Sequence, residues 1–357
     1  MAIAENIRNL IQDGVLAGAD LSGQDLAGLG LDGILIVESS LRGANLERAA
    51  LKACRWVATD LTGARLAGAD LSDGHFDRCT LAGVDGTGSI WCAALVQAGD
   101  LGGGIFDGAD FSQAILSDCR LEGARFHAAA MVNASLFNCR LAEADFSSAD
   151  LTRWTAPEAD LTRCRLGGAN LEMAILKGAC LDGIAWAGCR LTQAVMTEAA
   201  LEGADFSDLD LARIVLTGAK LKGAKFRKAR GAYAAFQGAA LNGADFSGAD
   251  LPTANFSEAC LDGADLAGLA APNAIFSKAA CRQARFSDAR LAYTDFSHAR
   301  VEGADFARAD LKGANLHGLD PGRARWEGAD LTHVRKTDPE LLAAERWTSP
   351  SRRPQQM

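Results

Sequence analysis

Apolar residues recur in this chain at every fifth position. From Leu16 to Leu331 one phase holds, on residue numbers ending in 1 or 6, through 64 positions without a slip. Leu or Phe fills 49 of these central positions, and Trp56, Trp91, Trp186, Trp326, Ile36, Val96, Val301, Met131 and Met196 fill nine more. The exceptions are Gly86, Ala156, Gly231, Ala271, Cys281 and Pro321. Two residues before each centre the sequence is mostly Ala, and the residue between is often Asp or Asn. A period of five fits neither the 3.6 of a helix nor the 2 of a strand. It predicts a coil of four short sides, one quintet to a side. The central and Ala-slot residues point inward. The Asp/Asn slot faces out, where such side chains bond nearby backbone and favour turns. A Gly three before the centre supplies positive φ at the corner. The unbroken phase predicts that no long loop protrudes.

Units such as GADLS (Gly18–Ser22), GANLE (Gly43–Glu47), GADFS (Gly203–Ser207) and GANLH (Gly313–His317) resemble the pentapeptide-repeat family, over residues 14 to about 335. The resemblance implies an all-β fold, a right-handed quadrilateral parallel β-helix with 20 residues to a coil. Side chains 20 apart then stack at about 4.8 Å, and about 16 coils make a rod of roughly 75–80 Å. Residues 14–336 form this solenoid. An open coil exposes sheet edges, so both ends need covers. Ile3, Ile7, Leu10 and Ile11, with Gly14 as a stop, predict a capping helix over 1–13. Asp338 before Pro339 predicts an N-capped helix over 337–347, and 348–357 reads as a disordered tail.

The exceptions test the pattern. Cys54, Cys79, Cys119, Cys139, Cys164 and Cys189 all occupy the Ala slot, as small buried hydrophobes, and Cys119 stacks on Cys139. An oversized Ala-slot residue precedes four of the defective centres: Val84 before Gly86, Trp154 before Ala156, Leu269 before Ala271 and Leu319 before Pro321. Such neighbours fill the missing volume. Gly231 follows Ala229 and has no such neighbour, so a bulge, cavity or bend is expected there. Phe206, Phe226 and Phe246, and Phe236, Phe256, Phe276 and Phe296, should stack as core ladders.

Composition narrows the chemistry. The formal net charge is −9, and the ten Cys form no CxxC pair or Cys/His cluster, so neither a zinc nor a redox motif is indicated, and a reduced, cytoplasmic bacterial protein is expected. No run is long and apolar enough to span a membrane, and the start of the chain lacks a secretory signal. His75, His127, His298, His317 and His333 supply no ligand set; His298 and His317 alone fall near each other. The Gly-rich stretches Asp85–Ser89 and Leu101–Phe106 lack a Walker lysine. A filled axis leaves no cleft. No catalytic residue, cofactor or metal site is expected, and the protein is not read as an enzyme.

Two surface patterns stand out. Around the basic run Ala219–Arg230, stacking pairs Glu202 with Lys222, Asp205 with Lys225, Asp208 with Lys228 and Asp210 with Arg230; Asp245 and Asp250 face Lys225 and Arg230 from the other side. Opposite charges on neighbouring strands contribute about 0.2–1 kcal/mol each, so a structural charge ladder is expected rather than a nucleic-acid patch. On one of the four faces, the outward slot holds Leu35, Leu95, Ile115, Ile175, Val195, Val215 and Ile275, and Val37, Val57 and Phe137 extend the same side. This is either an interface for a partner or a second copy, or β-propensity on the straightest ladder.

Three functions fit. The first is a rigid scaffold or adaptor for protein partners, with homodimers through the apolar face or the C-terminal segment, and within that class an accessory of a bacterial contractile secretion system. The second, which the resemblance raises, is an acidic DNA mimic acting on a type II topoisomerase such as gyrase; Arg65, Arg120, Arg125, Arg140, Arg165 and Arg190 interrupt its acidic columns. The third is a translocated effector.

Overall fold

The computed structural model describes residues 10–346. With a few exceptions, each residue in the outward slot pairs in parallel with the residue 20 further on, from Asp20↔Ser40 to Asn315↔Arg335. Each 20-residue turn carries four such ladders, so the chain is a four-sided parallel β-solenoid. Central and Ala-slot residues fill its axis as one continuous core. The rings stack as expected: Phe236, Phe256, Phe276 and Phe296 lie 4.7–4.8 Å apart and nearly parallel. Rings of adjacent ladders meet edge to face, as Phe236 and Phe246 do at 5.6 Å, the geometry the ring quadrupole favours.

One face differs along its length. It forms a seven-stranded sheet, β1 (Val15–Ala17), β2 (Leu35–Val37), β3 (Arg55–Val57), β4 (His75–Asp77), β5 (Leu95–Gln97), β6 (Ile115–Ser117) and β7 (Ser135–Phe137), in chain order. From Thr155 onward the same face holds only single bridges. The cause is the corner that follows. In the second half the Ala-slot amide donates back to the central carbonyl, Ala179 to Leu176 at 3.2 Å and Ala239 to Phe236 at 3.0 Å, which closes a tight turn. After β2 to β7 that bond is missing among the described residues, and the slot holds Ser39, Thr59, Cys79, Gly99, Cys119 and Cys139 instead of Ala. Where the slot is Ser, Thr or Cys, its hydroxyl or thiol adds a hydrogen bond of its own to a strand carbonyl. Thr59 Oγ1 donates to Val57 O at 3.1 Å and lies 3.4 Å from Ile36 O. Cys119 and Cys139 point their thiols at Val96 O and Leu116 O in the coil before. Ser39 Oγ also accepts the amide of Ala19. The Ala-slot cysteines are thus buried, as expected, apart from the half-buried Cys139, and they also serve as donors.

The switch between corner types falls at Pro157, whose fixed φ suits the first central position of a tight turn and which cannot donate to a ladder. Tight and wide corners set different widths, and the ladder on the next side loses the Arg140↔Asp160 bridge. A second break surrounds Ala185, which bridges neither Arg165 nor Asp205. There Ile184 fills an Ala slot beside the buried Trp186, and this surplus volume holds neighbouring coils apart.

Gly231 overturns an expectation. No bulge forms: Gly231 N donates to Asp250 O at 2.9 Å and Ala234 N to Gly231 O at 3.2 Å. Leu211 and Leu251 close over the glycine so tightly that a Cβ would sit 3.0 Å from Leu251. The volume is recovered along the axis, from neighbouring coils, and not from within the quintet. Gly86 works similarly: Phe106 and Ser89 crowd its missing side chain, and Ser89 accepts the indole N–H of Trp91 at 2.7 Å.

Beyond the last coil lies one helix, α1 (Pro339–Arg346). Asp338 Oδ1 accepts the amides of Glu340 and Leu341 at 2.9 and 3.2 Å, an N-cap of the expected kind. The helix has no buried residue and does not close the axis: Leu316, Leu319, Pro321, Trp326, Leu331 and Val334 still line a groove of about 510 Å³ at that end. The expected N-terminal capping helix falls mostly on residues 1–9, and the tail on 348–357; both lie outside the described residues.

Candidate interaction faces

The outward apolar residues do share one ladder. Bridges run from Leu35 through Arg55, His75, Leu95, Ile115, Ser135, Thr155, Ile175, Val195, Val215, Ala235 and Asn255 to Ile275. Ile115 and Ile175 are 43% and 42% exposed, Phe137 39% and Ile275 37%; Leu35, Leu95, Val195 and Val215 are half-buried. The column is interrupted. Leu95 adjoins Ile115, and Ile175, Val195 and Val215 adjoin one another, but Ile275 stands apart beyond Ala235 and Asn255. Arg55, His75, Asp77, Leu95 and Gln97 line a polar notch of about 370 Å³ between the Leu35 and Leu95 levels. The first members sit on the continuous sheet and the later ones on single bridges.

The charge ladder is only partly assembled. Lys225 Nζ lies 3.7 Å from Asp205. Asp210 and Arg230 are backbone bridge partners, but among the described residues no ion pair joins them, nor Glu202 to Lys222, nor Asp208 to Lys228. Asp245 pairs with Arg227 instead of Lys225. A carboxylate in the outward slot accepts the amide two residues on, as Asp60 does from Thr62 at 2.9 Å and Asp245 from Ser247 at 2.9 Å. Such carboxylates pair either straight up the ladder, as Asp100 with Arg120 and Asp145 with Arg165 do 20 residues apart, or diagonally at 18, as Asp60 does with Arg42. Arg140–Glu122 and Arg190–Glu172 show the 18-residue offset with the cation in the outward slot.

These contacts hold carboxylates ionised. The Ser207 hydroxyl, against a smaller opposing effect of burial, holds Asp205 below the usual carboxylate range, with Lys225 helping. For Asp245 burial pushes upward, and the hydrogen bonds from Ser247 and Arg227 together outweigh it. The buried thiols go the other way: burial pushes Cys79 up to about 11 and Cys164 up to about 12, so both stay protonated donors.

Sequence reasoning missed one cluster. Glu345 Oε2 of α1 lies 3.1 Å from His298 Nε2 and 3.2 Å from His317 Nε2. The two histidines were expected near each other, but no carboxylate was. Glu345 lies outside the repeat, so the 20-residue spacing carries no signal for it.

A filled, four-sided parallel β-solenoid defines the class of this protein. The pentapeptide-repeats family model, with 8 copies, matches residues 39–77, 104–142, 144–183, 157–193, 181–211, 194–230, 232–268, 273–303 and 289–320, more than half of the chain. The chain belongs to the pentapeptide-repeat family. Similar solved structures include a trypsin-treated variant of QnrB1, a plasmid-mediated fluoroquinolone resistance protein, at 16% identity over 75% of this chain and 94% of that one, TM-score 0.23. HetL, a pentapeptide repeat protein involved in heterocyst differentiation regulation from the cyanobacterium Nostoc sp. strain PCC 7120, is 22% identical over 86% of this chain and 87% of that one, TM-score 0.14. A thylakoid-lumen pentapeptide repeat protein of Arabidopsis thaliana is 28% identical over 40% and 72%, TM-score 0.14. No curated protein matches the sequence. Among the described residues no helix is long and apolar enough to cross a membrane.

Proposed function

We propose that this protein is a non-enzymatic, rod-shaped scaffold that docks a protein partner along its apolar face. The supporting observation is the single ladder of outward aliphatic side chains, with Ile115 and Ile175 more than two-fifths exposed, on a solenoid whose axis is filled by Leu, Phe and Ala. Exposed apolar patches in register mark contact surfaces, and a rigid wall presents them with little entropy to lose on binding. Ion pairs join neighbouring coils, as Arg120 with Asp100 at 3.4 Å, and Arg65, Arg125, Arg140, Arg165 and Arg190 interrupt the acidic columns that a DNA mimic would present. Service beside a contractile secretion apparatus is a narrower form of the same reading, as is a homodimer through this face or the C-terminal end.

The test is capture of partners by the wild type against Ile115→Asp/Ile175→Asp. Both side chains point outward, so melting should change by less than about 1 kcal/mol while partner capture, or self-association in sedimentation, drops at least tenfold. Unchanged capture and unchanged oligomeric state would remove the apolar face from the function.

A further inference from the structure

We infer that His298, His317 and Glu345 form a binding site for one divalent transition-metal ion of the zinc type, which fastens α1 to the side of the rod. The three ligand atoms, one from each residue, all lie within 4.8 Å of one another. Glu345 Oε2 stands 3.1 Å from His298 Nε2 and 3.2 Å from His317 Nε2. Zinc–ligand bonds of about 2.0–2.1 Å place tetrahedral ligands about 3.3 Å apart, so two of the three edges are already near their bound length. Two imidazoles and one carboxylate suit zinc and leave a fourth position for water. The site is anchored at unequal depth: the His317 side chain is 9% exposed, that of His298 33%, and that of Glu345 39%. The ion therefore has a way in from solvent, and one ligand comes from a fixed wall.

The metal-free geometry shows what binding displaces. Asp338 N donates to His317 Nδ1 at 3.2 Å, which places the neutral ring's proton on Nε2, facing Glu345. An ion taking the Nε2 lone pair replaces that proton, and the ring then carries its proton on Nδ1. Nδ1 can no longer accept from Asp338, so loading exchanges that hydrogen bond and the contacts of Glu345 with both Nε2 atoms for two imidazole bonds and one carboxylate bond to the metal. The strand end leading into α1 follows: Thr337 Oγ1 accepts the amide of Gly318 at 3.1 Å, and Lys336 and Thr337 form a wall of the groove at the open end of the rod. The ion thus acts on a segment that borders this apolar end.

The experiment is titration of the full chain, kept reduced, with zinc by calorimetry and with cobalt by visible absorption. Expected are one ion per chain, the d–d bands of a tetrahedral nitrogen/oxygen site, and affinity at least about tenfold weaker in Glu345→Gln and in His298→Gln. Both substituted side chains lie outside the core, so the rod stays folded and circular dichroism verifies it. Absence of saturable binding would overturn the proposal. So would affinity equal to wild type in Glu345→Gln/His298→Gln, or a thiolate charge-transfer band, which would place the ion on a cysteine such as the exposed Cys180.

Discussion

The two halves of the rod use the same quintet and differ at one corner. Before Pro157, one face carries three-residue strands, and the slot after each of β2 to β7 is Ser, Thr, Cys or Gly. After Pro157, the corresponding slots Ala159, Ala179, Ala199, Ala219, Ala239, Ala259, Ala279 and Ala299 are all Ala, and the corner is tight in most of them through the amide-to-carbonyl bond. In a wide corner the strand pairing carries the central carbonyl in place of the slot amide, as in the Ile36↔Trp56 and Val37↔Val57 register. The side chains of Ser39, Thr59 and Cys119 add a further bond to a strand carbonyl. The choice of corner thus goes with three-residue pairing, and it propagates: where the type changes, the next ladder drops the Arg140↔Asp160 bridge.

The largest expected effect breaks this comparison with one residue type in two places. Val57→Pro puts a ring into β3, where it cannot donate to the sheet, and should cost about 3 kcal/mol or more. Lys177→Pro falls in the matching slot of a tight corner, at the position Pro157 already fills, and should lie within about 1 kcal/mol of wild type. Chemical denaturation of the two variants checks it; equal losses would mean that the corners do not differ in the way described. A smaller effect comes from Thr59→Ala, which removes a hydroxyl bond to Val57 O, a carbonyl that still accepts the amide of Glu38 at 3.0 Å. It should cost about 0.5–1.5 kcal/mol, the worth of one hydrogen bond, and speed amide exchange around β3, while Ala239→Ser in the tight half should give no matching gain because Phe236 O already accepts the amide of Ala239.

The smallest effect is electrostatic and spans both halves. Asp60 and Asp70 before the switch, and Asp205, Asp245 and Asp330 after it, all titrate below their ordinary 3.8. A carboxyl whose folded value is depressed adds stability above its unfolded value, and that stability is lost as pH falls through the folded value. The melting temperature should therefore be insensitive to these groups near neutrality and decline below about pH 4. Because most of these carboxylates are partly exposed, salt should weaken the effect.

Much of this was readable from the residues. The five-residue phase fixes which side chains face the axis, because one inward centre per quintet is the only arrangement that buries Leu46, Phe246 and Leu311 alike. The same bookkeeping placed the phenylalanine ladders, the outward column from Leu35 to Ile275, and the cap of α1 at Asp338. It failed where the relevant distance is not a multiple of five. Gly231 is filled by leucines from the coils on either side. Asp245 finds Arg227 diagonally, 18 residues away. The corner code was present in Ser39, Thr59 and Cys119, but their burial alone does not distinguish a methyl substitute from a hydrogen-bond donor.

Sequence by itself determined the winding, since a strict period leaves the chain one way to bury its hydrocarbon, and it determined which residues could meet the solvent. Tertiary structure decided which of them meet each other. Glu345 reaches His298 and His317 from outside the repeat because α1 lies along the wall instead of across the end, and the open end keeps its groove for the same reason. Contacts within a periodic lattice follow from arithmetic on residue numbers, whereas a contact between the lattice and a segment that does not share its period depends on where that segment packs.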